Sequence, residues 1–152
     1  MENPLSREDF ARVARLAPLV SIDLVLRDPG GAVLVGLRNH EPAKGFYFVP
    51  GGVVRKNERL ADAFARILAG ETGLVADISS ARLLGAYDHF YSTNRYSEPG
   101  YGSRYVVLGY ELRLDSRPDI RTDDQHSEIR WMGVEELLAA PDVHENTKNY
   151  LR

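Results

Sequence analysis

Between Gly51 and Leu74 the chain reads GGVVRKNERLADAFARILAGETGL, and its charged residues stand at spacings that suit phosphate chemistry. Glu58 lies eight residues before Arg66, and Arg66 five before Glu71. On a helix turning about 100° per residue these steps leave the side chains ~80° and ~140° apart, along one broad polar edge. A carboxylate beside a tight glycine turn suits Mg²⁺, which takes oxygen ligands, keeps several waters and shares substrate phosphates. Glu71 and the carbonyl of Gly51 are therefore the metal-ligand candidates. The ordinary alternative for such charges is the solvated face of an amphipathic helix. Cysteine is absent, so disulfides, thiolate sites and a cysteine nucleophile fall away, and any metal must be held by oxygen or imidazole.

The elements that must position these residues can be read from period and punctuation. Ser6 with Asp9 three residues on is a capping-box-like start, predicting a helix over Arg7 to Leu16 that ends before Pro18. Leu19 to Leu26 and Ala32 to Leu37, joined by Asp28-Pro29-Gly30-Gly31, predict a hairpin. Phe46 to Val49 reads as a short strand stopped by Pro50-Gly51-Gly52. From Arg59 onward Leu60, Phe64, Ile67 and Leu68 recur at helical spacing, predicting about 13 residues of helix ending near Gly73. Arg82 to Tyr91 and Arg104 to Leu114 read as paired strands, and Asp115 to Ser127 as a long polar loop. Ile129 to Met132 should close the sheet. Val134 to Leu138 predicts a short helix, and Asp142 to Leu151 a last one capped by Asp142.

A chain of 152 residues, 43% of them hydrophobic, supports one compact domain. The expected class is α/β, a sandwich in which helices cover a mixed sheet. With 19 basic and 22 acidic residues interspersed there is no broad basic field, so nucleic acid is not an expected partner. MENPLSREDF lacks an apolar signal core, and no stretch reaches the ~18 apolar residues of a membrane span. The expected protein is cytoplasmic, with no membrane partner. No Gly-x-Gly-x-x-Gly or Walker-type loop follows a strand, which leaves the dinucleotide and P-loop readings without support.

Taken as one string, residues 51–74 resemble the Nudix box: a glycine, five residues, a glutamate, seven residues, then Arg-Glu-U-x-Glu-Glu-x-Gly-U, U being aliphatic. Gly52, Glu58, Arg66, Leu68, Glu71, Gly73 and Leu74 match in register, whereas Ile67 and Gly70 stand where the pattern has glutamates. That resemblance implies a single-domain Nudix-type α/β/α sandwich over residues 1–152, with residues 1–17 as an N-terminal helical extension. Losing two carboxylates leaves room for fewer divalent ions and for no base on the helix, so the base must come from another segment.

Outside the box the chain is similar to the GDP-mannose mannosyl hydrolase subfamily. The similar segments are SREDFARVARLAPLVSIDLVL, FYFVPGG, GAYDHFY from Gly85, RYVVLGY from Arg104, DDQHSEIRW from Asp123 and DVHENTKNYL. The resemblance implies hydrolysis of GDP-mannose, and of GDP-glucose, to GDP and free hexose by water attack at the anomeric carbon with inversion. It implies one Mg²⁺ per subunit, replaceable by Mn²⁺, held by the Gly51 carbonyl, Glu71 and Gln125. It makes His126 the general base and places Arg38 on the pyrophosphate, Asp23 and His89 in substrate binding or catalysis, and Tyr105 as a phosphate-side donor. Arg66 falls in the same charged pocket, Leu5 and Phe10 contact the nucleotide, and the protein is a homodimer. The subfamily carries an arginine directly after the two glycines where this chain has Val53. Arg55, on the same side if that segment is extended, is expected to take its place among the substrate contacts.

The residue chemistry agrees on the base, because an imidazole with pKa near 6.5 is mostly neutral at pH 7 and can accept a proton. A conventional NDP-sugar pyrophosphatase releasing NMP and sugar 1-phosphate, and a weakly active nucleotide-sugar-binding module, are the competing readings. His40 and His144 read as structural or surface residues.

Overall fold

The structure, a computed structural model, describes residues 4–120 and 126–152, with the backbone alone at 126 and 127. Helix α1 (Arg7–Leu16) starts as its sequence dictates: the Ser6 hydroxyl accepts the Asp9 amide at 3.1 Å, satisfying one of the orphan donors of the first turn. The strands are β1 (Leu19–Arg27), β2 (Val33–Arg38), β3 (Tyr47–Phe48), β4 (Gly51–Val53), β5 (Arg82–Tyr91), β6 (Ser103–Arg113) and β7 (His126–Met132). Helix α2 (Leu60–Thr72) lies between β4 and β5 and stops at Gly73, whose φ of 77° is a left-handed cap. Helices α3 (Val134–Ala139) and α4 (Glu145–Lys148) close the chain, with a final 3₁₀ turn at Asn149–Leu151.

The sheet runs β3-β2-β1-β6-β5, with β4 also on β1 and β7 on β2. It is mixed, because β1 and β6 pair in parallel while the other pairs are antiparallel. Central strand β1 is buried along nearly its whole length, as a strand covered on both faces must be. Its alternation divides the core. Ile22, Leu24 and Leu26 pack with Ala63, Phe64, Ile67 and Leu68 of α2. Val25 packs on the opposite side with Val107, Leu137, Val143 and Tyr150, under the C-terminal segment. This is the single-domain α/β/α sandwich that the sequence implies.

The C-terminus departs from expectation. Asp142 does not cap a helix; its carbonyl accepts the Tyr47 amide at 2.8 Å, and Val143 forms a parallel bridge with Tyr47. The edge of β3 claims that backbone, so α4 begins later and is capped by His144, whose Nδ1 accepts the Asn146 amide at 3.0 Å. Strand β7 also begins earlier than its apolar pattern indicates, pairing His126 with Arg38 of β2.

Candidate active site

The turn from β4 into α2 is locked by an ion pair. Arg66 donates from Nε to Glu58 Oε2 at 2.7 Å, and from Nη2 to Glu58 Oε1 at 2.9 Å and the Val53 carbonyl at 2.8 Å. Glu58 Oε1 also accepts the Arg55 amide at 3.0 Å. Arg66, expected at the substrate, instead has its guanidinium engaged by the loop. Its charge, first through the hydrogen bond, holds the Glu58 carboxyl below the usual range. The chain turns at Arg55, whose carbonyl accepts the Glu58 amide at 3.1 Å. The alternation that would put Arg55 on the Val53 side therefore ends with β4 at Val53, and the Arg55 charge acts on Glu58. Ile67, at a position where a glutamate is expected, is buried against Gly52: a Cβ on Gly52 would lie 3.0 Å from Ile67 Cγ1. Glu71, one helical turn on, shares a small cavity with Leu34, Val35, Gly36, Pro50 and Ile129, beside the turn that carries Gly51.

On the other face of the sheet one row of residues is cleared of side chains around a carboxylate. Asp23 of β1 pairs with Gly51 of β4 and Gly109 of β6, and Gly109 pairs with Gly85 of β5. A Cβ on Gly51 would lie 2.2 Å from Asp23 Oδ1, so the carboxylate occupies the space over that glycine. A Cβ on Gly109 would lie 2.9 Å from Tyr150 Cε1, so the tyrosine ring occupies the space over the next. The Tyr150 hydroxyl donates to Asp23 Oδ2 at 2.6 Å and lies 3.4 Å from His89 Nε2. All three residues are buried. Loss of water pushes the Asp23 carboxyl up to about 7, against the Tyr150 hydrogen bond and the Arg38 charge, which favour the anion. Burial pushes the His89 imidazole down to about 4, helped by the His144 and Arg104 charges.

Arg38 lies over the Phe48 ring, 5.7 Å from its centroid, and among the described residues its buried Nε has no hydrogen-bond partner. Its charge reaches Asp23, Tyr91, Tyr105 and His144. Tyr105 pairs with His89 across β5 and β6, and its ring is 6.0 Å from Tyr91. The structure thus brings Asp23, Arg38, His89 and Tyr105 together. It adds residues that sequence reasoning passed over: Phe48, Tyr91, His144 and Tyr150. His144, read above as structural or surface, has its ring against Phe46, Phe48 and Tyr91 at 5.2, 5.4 and 5.8 Å. The Tyr91 hydroxyl accepts from Asn146 Nδ2 at 3.1 Å. The period-two run Tyr87, His89, Tyr91 carried a signal for one shared face; nothing local marks His144 or Tyr150.

Two N-terminal residues were expected at the nucleotide. Leu5 is exposed, but Phe10 is only 4% exposed and closed in against Tyr96 of its own chain, centroids 5.4 Å apart. It is not available to a ligand there. Gln125 and the side chain of His126 lie outside the described residues; the backbone of His126 is registered with Arg38. Among the described residues no three His, Cys, Asp or Glu side chains converge on one point. The two expected donors among the described residues, the Glu71 carboxylate and the Gly51 carbonyl, are poor in charge but all oxygen. That fits Mg²⁺, which binds through one or two carboxylates and leaves the rest of its shell to water and phosphate.

The buried His89 makes stability pH-dependent with a definite sign. Its folded-state pKa lies below its ordinary value of 6.5, so the unfolded chain binds the extra proton between about 4 and 6.5. The stability associated with neutral His89 is full above that window and falls as pH drops through it. Asp23, shifted upward, contributes in the opposite sense between 3.8 and about 7. His89→Phe keeps a ring among Phe48, Tyr91 and Tyr150 while leaving Asp23 in place. Urea midpoints at several pH values should show the variant gaining on the wild type as pH falls from 7 to 5; parallel curves would contradict the burial argument.

Known proteins give the following matches. The family model described as "NUDIX domain" matches residues 17–152. A low-salt glycan biosynthesis protein, Agl8 of Haloferax volcanii, is 40% identical over 124 residues, 81% of this chain and 76% of that protein. An ADP-ribose pyrophosphatase of Methanocaldococcus jannaschii is 28% identical over 139 residues, 90% of this chain and 75% of that one. Among solved structures, a MutT NUDIX hydrolase from Burkholderia pseudomallei superposes with a TM-score of 0.70 at 24% identity, covering 88% of this chain and 95% of that one. The NUDIX domain of Shewanella oneidensis NrtR, solved with ADP-ribose, superposes with a TM-score of 0.66 at 20% identity over 96% of each chain.

Proposed function

The chain belongs to the Nudix family of hydrolases, and from that premise we propose that it hydrolyses a GDP-hexose such as GDP-mannose at the anomeric carbon, releasing GDP and free hexose. The observation that carries this reading is the apolar seat of Ile67 against Gly52. With Gly70 also lacking a side chain, Glu71 is the single carboxylate on the last two turns of α2. A pyrophosphatase that relies on several helix carboxylates to collect metal ions and to deprotonate water has lost its equipment here. The name of the Haloferax relative, which places that protein in glycan biosynthesis, supports a sugar-bearing nucleotide.

In this reading Glu71, the Gly51 carbonyl and Gln125 hold one Mg²⁺, with Mn²⁺ as a substitute; when bound, the ion neutralises charge on the departing diphosphate. Arg38, braced over Phe48, clamps the same diphosphate with its guanidinium, and Tyr105 donates to it. A good leaving group removes the need for an acid catalyst. His126, entering on β7 beside Arg38, takes the proton from the attacking water, which meets the sugar on the face opposite GDP and inverts its configuration. Asp23 and His89 hold the hexose. The protein acts in the cytoplasm as a homodimer, and the exposed Val20 and Phe90 support a mating surface: with Val106, Asp88 and Arg104 they share the sheet face opposite Asp23 and His89.

Hydrolysis of GDP-mannose with Mg²⁺ in ¹⁸O-water, followed by mass analysis of every product, tests the reading. Label in free mannose beside unlabelled GDP is the expected result. Label in GMP or mannose 1-phosphate would instead establish the pyrophosphatase reaction borne in the name of the Methanocaldococcus relative. No turnover of any GDP-hexose would leave a nucleotide-sugar-binding module.

A further inference from the structure

The residue that joins the two sugar-side groups is neither of them. We infer that Tyr150 is a positioning residue that orients the Asp23 carboxylate and selects the His89 tautomer, so that His89 presents Nδ1 as the hydrogen-bond acceptor for substrate. The inference deepens the function proposed above and rests on it for the statement that Asp23 and His89 face the hexose.

The argument starts from proton counting. A tyrosine hydroxyl has one proton to give. That proton goes to Asp23 Oδ2 at 2.6 Å, the shorter of its two contacts. Toward His89 Nε2, at 3.4 Å, the same oxygen can then only accept. With Asp23 ionised, the 3.4 Å contact is a hydrogen bond only when His89 carries its proton on Nε2, and a neutral ring protonated there leaves Nδ1 as a bare acceptor. A hydroxyl donor such as a sugar presents would find that acceptor already made.

The placement of the ring is built rather than incidental. Gly109 clears the sheet beneath it, where a Cβ would meet Tyr150 Cε1 at 2.9 Å and Cδ1 at 3.1 Å. Tyr87 meets it edge-on with centroids 4.7 Å apart. The segment that carries it is pinned to β3 and its exit: the Tyr47 amide donates to the Asp142 carbonyl at 2.8 Å, and the Val49 amide to the Thr147 hydroxyl at 3.3 Å. The C-terminal strap thus delivers one hydroxyl to a carboxylate 127 residues earlier in the chain. Buried hydrogen-bond networks of this kind fix one arrangement of their members.

Tyr150→Phe removes only the hydroxyl. In ¹⁵N-labelled protein, long-range proton-nitrogen correlation should show His89 as the Nε2-protonated tautomer in the wild type and as a tautomer mixture in the variant. Gly109→Ala, which displaces the ring but keeps the hydroxyl, should give the same mixture. With Mg²⁺ and GDP-mannose, Tyr150→Phe should lose about tenfold in kcat, the scale of one buried hydrogen bond, while the inhibition constant of GDP stays within twofold. An unchanged tautomer, or an unchanged kcat, would overturn the inference. So would a parallel loss of GDP affinity, which would mark Tyr150 as a general structural residue. Should the wild type turn over no GDP-hexose at carbon, the proposed function fails, and the inferred role toward substrate fails with it. The tautomer comparison would still report whether Tyr150 governs His89.

Discussion

His126→Gln should lower kcat by ~10²- to 10⁴-fold with KM for GDP-mannose changed only a few-fold, the range expected when a positioned general base is lost. The expectation follows from what α2 lacks. Ile67 is turned into the core and Gly70 carries no side chain, so the last two turns of the helix offer no carboxylate besides Glu71 to deprotonate water. Strand β7 enters the site from the other direction, with His126 registered against Arg38, the residue assigned to the diphosphate. In the proposed reaction, a base on that strand, its backbone in register with the residue that clamps the leaving group, acts on water near the anomeric carbon. Glutamine keeps polar bulk but cannot take the proton at neutral pH. Steady-state kinetics over a pH range give the decision: the wild-type profile should lose rate as an imidazole protonates on the acid side, and the variant should not. A variant with wild-type kcat would remove His126 from the mechanism, and a change confined to KM would make it a binding residue instead.

The second large effect concerns stability. Arg66→Met should destabilise the protein by ~3–5 kcal/mol, the usual consequence of stranding a buried charge. The Glu58 side chain is 1% exposed and receives two hydrogen bonds from Arg66, whose Nη2 also satisfies the Val53 carbonyl. Removing the guanidinium leaves a carboxylate in a dry site and loosens the turn carrying residues 53–58, so kcat/KM should fall as well. Adding Glu58→Gln should recover much of the lost stability, because the cost lies in the uncompensated charge more than in the lost attraction. The pH dependence has its own sign. Arg66 holds the Glu58 carboxyl below its ordinary 4.5 in the folded state. The contribution is therefore complete above that value and is lost as pH falls through the folded-state pKa. Urea denaturation should show the wild type losing this stability in acid. In Arg66→Met the same region should no longer carry that loss.

What the sequence determined by itself is local. Ser6 and Asp9 delimit α1, the recurrence of Leu60, Phe64, Ile67 and Leu68 with the Gly73 exit delimits α2, and alternation delimits β5. Each rests on side chains a few residues apart, so period and cap chemistry suffice. The Gly51–Leu74 spacing likewise exposed the family and the missing carboxylates, because they sit in one continuous segment. The tertiary structure decided the rest. Only the loop's closure turned Arg66 from an expected substrate contact into the partner of Glu58. Only the β1–β6 parallel pairing, with Gly109 opposite Asp23, opened the row into which Tyr150 reaches. Only the claim of β3 on residues 142–143 moved the helix start and made His144 a cap, with its ring among Phe46, Phe48 and Tyr91. These contacts join residues up to 127 positions apart. Their partners are set by strand order and register, which no local period encodes, because alternation says which face a side chain takes but not which strand lies beside it.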